Sequence, residues 1–488
     1  MALSEFTAAN IHLDADKQEE ASKKSTVDIT KLKADIAVQL DVGKQGKVHE
    51  ALEALLNLEK MSRLAEDITA TRLSCTAVLE LCFEAKQWKL LEEQILVLVK
   101  RRSQLKQAIQ ALVRQAMGYL DQAPDKDTKV SLIKTLQAVT EGKIYVEIER
   151  ARLTRRLAIM KEAEGNVAEA ADILQEVPVE TFGAMAKTEK IAYILEQVRL
   201  CLDKQDFVRA QILSRKISPR AFVEKKGEAK GEIGIEGTAI EAPEEGVPGL
   251  QALKLIYYQH MLRFHAHANN YLEMTRCHRA IYEMESTQAD PAQWAAELKQ
   301  ICWFVVLSPA FSTEQGSSSD HTTLLTTTFQ DKKLSDLPTY KALLNTFINK
   351  EIIRWPQFQQ QFSAEVAEHP AIFSDSKRLA DLQLRVVEHN VMVIAKYYTR
   401  ITTARLSQLL DLSAAEAERH LSELVVSKAV SAKIDRPAGL VRFGARQAPE
   451  DQLNAWANNI GKLLGLVEKS CQQISKECMI YKVQLSSS

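Results

Sequence analysis

From about residue 36 onward, apolar positions recur at three- and four-residue steps while strand-like alternation is almost absent, so the pattern predicts a chain of amphipathic helices. One unit recurs. A helix ends, a small or polar turn follows, and an apolar residue opens the next helix: GKQGKVHEALEALLNL, EAKQWKLLEEQILVL, EAEGNVAEAADILQEV, LDKQDFVRAQILSRKI and HANNYLEMTRCHRAIYE. The opening residues are Val48, Trp88, Val167, Phe207 and Tyr271. Val48 and Trp88 stand 40 residues apart, as do Val167 and Phe207. Trp88 and Val167 are 79 apart, about two units, and Val130 in DKDTKVSLIKTL serves as the intermediate start. The 64 residues from Phe207 to Tyr271 make one unit plus an insertion, found at 224–249. That stretch holds six of the chain's 17 glycines and is expected to be an exposed loop.

A period near 40 with paired amphipathic helices predicts a mainly α fold, a right-handed α-solenoid of tetratricopeptide- and HEAT-like helix pairs. A single pair cannot bury its own apolar face, so pairs must stack, and stacked arrays present long surfaces to protein partners. The solenoid is assigned to 36–380, with a second polar loop at 308–323. Residues 1–35 are polar, of mixed charge, and expected to be a disordered tail.

The pattern changes after residue 380. LADLQLRVVEHNVMVIAKYYTRI predicts a helix over 379–401 with Leu382, Val386, Val393, Tyr397 and Ile401 on one side. Residues 402–444 then read as two short helices, a strand, a turn and a strand, which is the order of a winged helix, assigned to 381–445. Ser413, with Glu416 three residues on, predicts a capping box for a helix that buries Ala417, Leu421, Leu424 and Val425. Strands are predicted at Val430–Asp435 and Leu440–Phe443, joined by Arg436, Pro437, Ala438 and Gly439. A DNA reader would carry cations on the helix at 413–428, yet that segment sets Glu416, Glu418 and Glu423 against Arg419 and Lys428. Lys433, Arg436 and Arg442 on the wing are too few to offset them. An assembly module is the better reading. The last strand, Leu440, Val441, Arg442 and Phe443, is expected at the sheet edge, where its free backbone groups can pair with another chain.

A terminal helix is predicted over 449–485. Its apolar positions, Leu453, Trp456, Ile460, Leu463, Val467, Cys471, Ile474, Cys478, Tyr481 and Leu485, step by 3, 4, 3, 4, 4, 3, 4, 3 and 4. This is a coiled-coil-like stripe with one stutter. It either folds back on its own solenoid or joins a bundle of helices from other subunits, and the second reading is preferred because no obvious partner segment remains in the chain.

Composition narrows the function. The 63 Lys and Arg nearly cancel the 64 Asp and Glu, which leaves no global pull toward nucleic acid or anionic membrane. The chain has no basic-then-apolar leader and no run of about 18 uncharged apolar residues, so a soluble, intracellular protein is expected. The seven cysteines fit reduced, mostly buried thiols, since Cys75/Cys82 and Cys471/Cys478 have helix-face spacing and no CxxC clamp occurs. His260, His265, His267 and His278 cluster locally, but the residues after His267, ANNYLEMTRCHRA, lack the serine and aspartate of an isopeptidase-type metal motif. No HExxH, GxSxG or GxxxxGK[ST] is present. Glu147 and Glu149 are two apart on a helix and face different ways, and His389 reads as a structural histidine. No catalytic, cofactor or metal residues are assigned.

Helical repeats, a winged helix and a terminal helix together resemble the PCI-domain proteins, the family shared by the proteasome lid, the signalosome and the multisubunit translation initiation factor. LLNLEKMSRLAEDITATR (55–72), LCFEAKQWKLLEEQI (81–95), KRRSQLKQA (100–108), TEGKIYVEIERARLT (140–154), RVVEHN (385–390), AKYYTRIT (395–402) and LLDLS (409–413) are most similar to lid members of that family. The similarity covers most of residues 45–485, though not the tail or the 224–249 insertion. It implies a non-catalytic scaffold in ubiquitin-dependent protein degradation, working in cytoplasm and nucleus. Implied partners are other PCI lid subunits, the lid deubiquitinase, the core particle and the ATPase ring, with no nucleic acid or membrane. A paralogous signalosome scaffold is the nearest alternative. By the same resemblance, Leu440–Phe443 and the terminal stripe, above all Leu453, Trp456, Ile460, Leu463, Val467, Ile474 and Tyr481, are the candidate partner-binding residues.

Overall fold

Twenty residues separate Val48, Ile68 and Trp88, and each opens a helix. There the period of 40 is two helices of 17 residues with a three-residue turn after each, whereas the Val167–Phe207 unit reaches the same period with helices of 9 and 17 residues. The computed structural model describes residues 28–222, 241–244, 246–309, 318–373, 376–427, 429–444 and 449–481. It divides into two units, Met1–Ala268 and Asn269–Ser488.

In the first unit the helices are α1 (Ile29–Lys44), α2 (Val48–Leu64), α3 (Ile68–Glu84), α4 (Trp88–Lys100), α5 (Lys106–Tyr119), α6 (Lys126–Thr140), α7 (Glu147–Ala163), α8 (Val167–Gln175), α9 (Lys187–Asp203), α10 (Phe207–Arg215) and α11 (Leu250–Ala268). Most neighbours in sequence pack together, and so do alternate helices: α1 on α3, α3 on α5, α5 on α7, and α9 on α11. That pattern is an α-solenoid.

The turns follow one rule. Gly46, Glu66, Lys86, Gly165 and Gln205, each two residues before the next helix, have left-handed φ between 54° and 94°. The residue after the turn donates its amide five positions back: Asp67 to the Ser62 carbonyl (3.3 Å), Gln87 to Cys82 (3.1 Å), Asn166 to Lys161 (3.1 Å) and Asp206 to Cys201 (2.9 Å). These are Schellman ends, which pair carbonyls that the finished helix would otherwise orphan. Asp67 then caps α3 by accepting from the amides of Thr69 and Ala70 (3.0 and 3.1 Å). Opening side chains fold onto what precedes them, as where Trp88 meets Phe83 edge-on with centroids 5.7 Å apart. Gly43 marks a close helix approach. A Cβ there would fall within 2.1 Å of the Leu81 side chain, so α1 and α3 touch where no side chain fits.

Several sequence expectations shift. Val48, Trp88, Val167, Phe207 and Tyr271 each begin a helix, as read. Val130 does not, because α6 already starts at Lys126. An opener missed by the reading is Ile68, at the midpoint of the Val48–Trp88 unit. α1 begins at Ile29, inside the segment expected as a tail; residues 1–27 lie outside the described residues.

In the second unit, α12 (Tyr271–Tyr282), α13 (Glu285–Ala289), α14 (Pro291–Leu307), α15 (Ser318–Phe329) and α16 (Pro338–Ile348) surround a core built on α14. α14 buries Leu298 and every residue from Ile301 to Leu307. Its start is fixed by Pro291 and by Asp290, whose carboxylate accepts from the Ala292 amide at 3.0 Å. The polar loop expected at 308–323 is shorter than read, since α15 starts at Ser318. Short helices α17 (Trp355–Gln361), α18 (Ser363–Glu368) and α19 (Pro370–Phe373) lead to α20 (Ser376–Tyr397).

The winged helix follows as β1 (Arg400–Thr402), α21 (Thr403–Leu410), α22 (Ala414–Val426), β2 (Ala432–Asp435) and β3 (Leu440–Phe443). Asp411, at φ 53°, ends α21. Ser413 and Glu416 form the predicted capping box, with amide-to-side-chain distances of 3.3 and 3.1 Å. Ala417, Leu421 and Leu424 are buried with Val387, Val391 and Ile394 of α20, whereas Val425 is only partly buried. Helix α20 stops at Tyr397, and Ile401, expected on that helix, belongs instead to β1. The last helix, α23, spans Pro449–Tyr481, and Leu485 lies outside the described residues.

Candidate interaction surfaces

The sheet order is β1-β3-β2, antiparallel throughout, so Leu440–Phe443 is the central strand and not the edge. Ile401 and Ile434 both stand opposite Val441, and the Phe443 amide donates to the Thr399 carbonyl at 3.0 Å. β3 therefore has its backbone occupied on both sides. The sequence reading erred because β1 is three residues long and its single buried apolar side chain, Ile401, continued the apolar face of α20. Val441 and Phe443 are core residues, Leu440 is half-buried and Arg442 is exposed. Among the described residues, the outer edges of the sheet belong to β1 and β2.

The exposed face of the sheet carries a feature that strand-by-strand reading missed. Arg400 pairs in register with Arg442, and Arg442 with Lys433, all three exposed. Like charges directly opposite across strands repel, so this row favours an acidic neighbour. Two nearby cations are already engaged with acids of α22: Arg419 donates to Glu423 (3.1 Å), and Arg436 of the wing donates to Glu418 (2.5 Å).

All seven residues assigned to the terminal stripe are exposed, from Ile460 at 41% to Tyr481 at 73%. Leu464, Leu466, Met479 and Ile480 are exposed beside them, which widens the apolar face beyond the narrow seam read from the sequence. At 33 residues the helix is about 50 Å long. Burying seven such side chains is a gross gain of about 10 kcal/mol, far more than scattered surface residues offer.

The solenoid unit is tied across repeats by buried acids. Glu59 accepts from Arg63 at 3.2 Å and also pairs with Arg101. Glu149 accepts from Arg114 (2.7 Å) and Gln110 (3.2 Å), and Glu189 takes both prongs of Arg152 (2.7 and 2.9 Å). Glu162, only half-buried, makes a second forked pair with Arg199 at 2.6 Å. A buried charge without its partner is costly, so these pairs fix the register of neighbouring helices. Glu149 thus faces inward, away from Glu147, as its place on the helix predicted.

The four clustered histidines do separate jobs. His267 stacks on Phe207 with centroids 3.7 Å apart, His265 meets Phe264 edge-on, and His278 lies 2.7 Å from a Glu297 oxygen and stacks on Phe304. His260 is largely buried near Arg263, Arg199, Glu196 and Asp203, and desolvation pulls its pKa down to about 4. An unfolded histidine titrates near 6.5, so between pH 6.5 and 4 the unfolded chain binds the extra proton. Stability contributed by neutral His260 is complete above that window and is lost as pH falls through it. We expect His260→Gln to flatten the drop in melting temperature of the chain between pH 7 and pH 4.5, measured by thermal scans. An unchanged slope would place the acid sensitivity elsewhere. His389 is buried, its Nε2 3.1 Å from the Glu351 carbonyl, and burial holds its pKa down, as expected of a structural histidine. Cys75, Cys82, Cys201, Cys277 and Cys302 are buried free thiols. Burial pushes the first two and Cys277 up to about 12, which keeps them unreactive. Among the described residues, no group of three or more His, Cys, Asp or Glu is arranged to hold a metal, and no helix is long and apolar enough to cross a membrane.

The three parts of the chain match three family models: PSMD12/CSN4, N-terminal, over residues 50–231; the PCI domain over 343–445; and the 26S proteasome regulatory subunit RPN5 C-terminal domain over 451–482. The chain is 52% identical to 26S proteasome non-ATPase regulatory subunit 12 homolog A of Arabidopsis thaliana over 452 residues, which cover 91% of this chain and 100% of that one. The chain belongs to the family of proteasome non-ATPase regulatory subunit 12. Similarity to 26S proteasome regulatory subunit RPN5 of Saccharomyces cerevisiae, 34% over 470 residues, covers 95% of this chain and 99% of that one. Subunit 4 of the COP9 signalosome complex from Drosophila melanogaster stands further off, at 26% over 362 residues, covering 73% of this chain and 78% of that one. Membership of the subunit 12 family carries the PCI architecture with it: a helical-repeat unit, the winged helix and the terminal helix, each matched by its own model.

Proposed function

We propose that this chain is a non-catalytic scaffold of the proteasome regulatory-particle lid, acting in ubiquitin-dependent protein degradation in cytoplasm and nucleus. It assembles with other PCI subunits through the terminal helix and the winged-helix sheet, and its solenoid bridges toward the core particle and ATPase base. The observation that carries this reading is α23, an amphipathic helix of 33 residues whose apolar face is exposed along the chain's own surface. At the winged helix, the edges offered to a partner strand are β1 and β2, with the row Arg400, Arg442 and Lys433 supplying charge complementarity to an acidic surface.

Native affinity purification of the tagged full-length chain, with mass spectrometry of its companions, tests the reading. Lid and ATPase subunits are expected. Recovery of signalosome subunits alone would keep the fold and move the function, and recovery of the chain alone would defeat the scaffold reading. A duplex-DNA titration at low salt is expected to show only weak background, because Arg419 of α22 and Arg436 of the wing are paired with acids of α22. Tight binding that falls steeply with salt would reverse that reading of the wing.

A further inference from the structure

The glycine-rich insertion does not end as a free loop. Within it, Glu241–Glu244 lies against the solenoid unit, where Glu241 and Glu244 line a groove of about 280 Å³ together with Arg114 of α5, Arg152 and Arg156 of α7, and the acids Asp121 and Glu149. Arg114 donates to the Glu241 carboxylate at 2.9 Å, and Arg152 reaches its other oxygen at 3.4 Å. Arg156 donates to Glu244 at 3.2 Å. The main chain is read as well: the Glu241 amide donates to the Ala184 carbonyl (2.9 Å), and Arg152 donates to the Ala242 carbonyl (3.3 Å). Pro243, between the two acids, has no amide that needs a partner.

The arginines do not owe their positions to this segment. Glu149 and Glu189, both buried, grip Arg114 and Arg152 from beneath at 2.7 Å, and the guanidinium edges left over point into the groove. Arg156 is steadied by the Met117 carbonyl at 3.4 Å. A planar fork held on one side and open on the other is a preformed carboxylate site. The pairs it makes with Glu241 and Glu244 are part-exposed, and ion pairs in reach of water are individually weak. The groove therefore holds its resident segment loosely while its own walls stay fixed.

We propose that this groove is a docking site for an acidic, extended segment of a partner protein, with two carboxylates three residues apart, and that residues 241–244 are its internal competitor. The chain reads its own Glu-Ala-Pro-Glu as such a ligand would be read, by side chain and backbone together. Docking of the partner segment and seating of 241–244 exclude one another. This inference does not depend on which complex the chain joins.

The test uses a fluorescein-labelled peptide, EAPEEGVP, and the full-length chain. Anisotropy should show binding to the variant Glu241→Gln/Glu244→Gln at least about tenfold tighter than to the intact chain, weakening with salt and lost when Arg156→Gln is added. In the intact chain, excess peptide should speed hydrogen exchange of the Glu241 amide, which needs no variant to fold. Equal affinity for intact and released chains, no binding to a released chain of native circular dichroism, or unchanged exchange at excess peptide would each overturn the proposal. So would equal displacement by a DNA duplex, which would make the groove a general anion surface.

Discussion

A chain ending at residue 448 is expected to keep its fold and to lose its complex. All seven candidate partner-binding residues of α23 are exposed, and the helix makes no extensive packing contact with the rest of the chain among the described residues. Its removal should leave the melting temperature within about 2 °C, because little apolar area is uncovered. Incorporation into the lid, followed by native gel or co-purification, should be abolished. Leu463→Asp with Val467→Asp is the finer version. Both sites are exposed, so stability should change by about 0.5 kcal/mol or less. Burying two aspartates in a helix bundle in place of two apolar side chains should reduce incorporation by at least about 100-fold, given roughly 1.5–3 kcal/mol for each apolar group lost. A truncated chain that still assembles would show that the sheet edges or the solenoid suffice. A truncated chain that melts early would show that α23 packs in cis.

The parts of this architecture visible in the sequence were those with a long repeating signal. Paired helices with a left-handed turn residue at a fixed place before the next helix accompany the 40-residue period, and five helix starts could be read to the residue. The stripe on α23 extends over nine turns and is insensitive to one stutter. What failed was short or non-local. β1 has three residues and one buried side chain, too little for a period of two to register, and its absence turned the central strand into a supposed edge. The cation row exists only because register places Arg400 beside Arg442 and Arg442 beside Lys433. The arginine groove joins residues of α5 and α7 to residues some 90 to 130 positions later, inside a stretch whose glycines signalled only a loop. Local composition cannot announce such a contact. The clue the sequence did offer was the pair of acids spaced by Ala-Pro.

Asn390→Ala is expected to destabilise the second unit by about 2–4 kcal/mol, a large change for one polar side chain. Asn390 is 2% exposed on α20. Its Oδ1 accepts from the Ile353 amide at 2.8 Å, and its Nδ2 donates to the Ile353 carbonyl at 2.7 Å, so one side chain pairs both backbone groups of a buried residue outside any helix. His389, one position earlier, reaches the Glu351 carbonyl. Together they pin the segment between α16 and α17 to the helix that also forms the winged-helix core. Alanine would leave a buried donor and a buried acceptor unpaired, and each such orphan costs about 1–3 kcal/mol. Leucine at 390 separates this account from a packing account, since it restores volume but neither bond. If the hydrogen bonds carry the effect, Asn390→Leu should be no better than Asn390→Ala in urea melts of the full-length chain. Recovery of most of the stability by leucine would mean that Asn390 matters for its volume, and that the 351–354 segment is held by Ile353 and Phe358 packing instead.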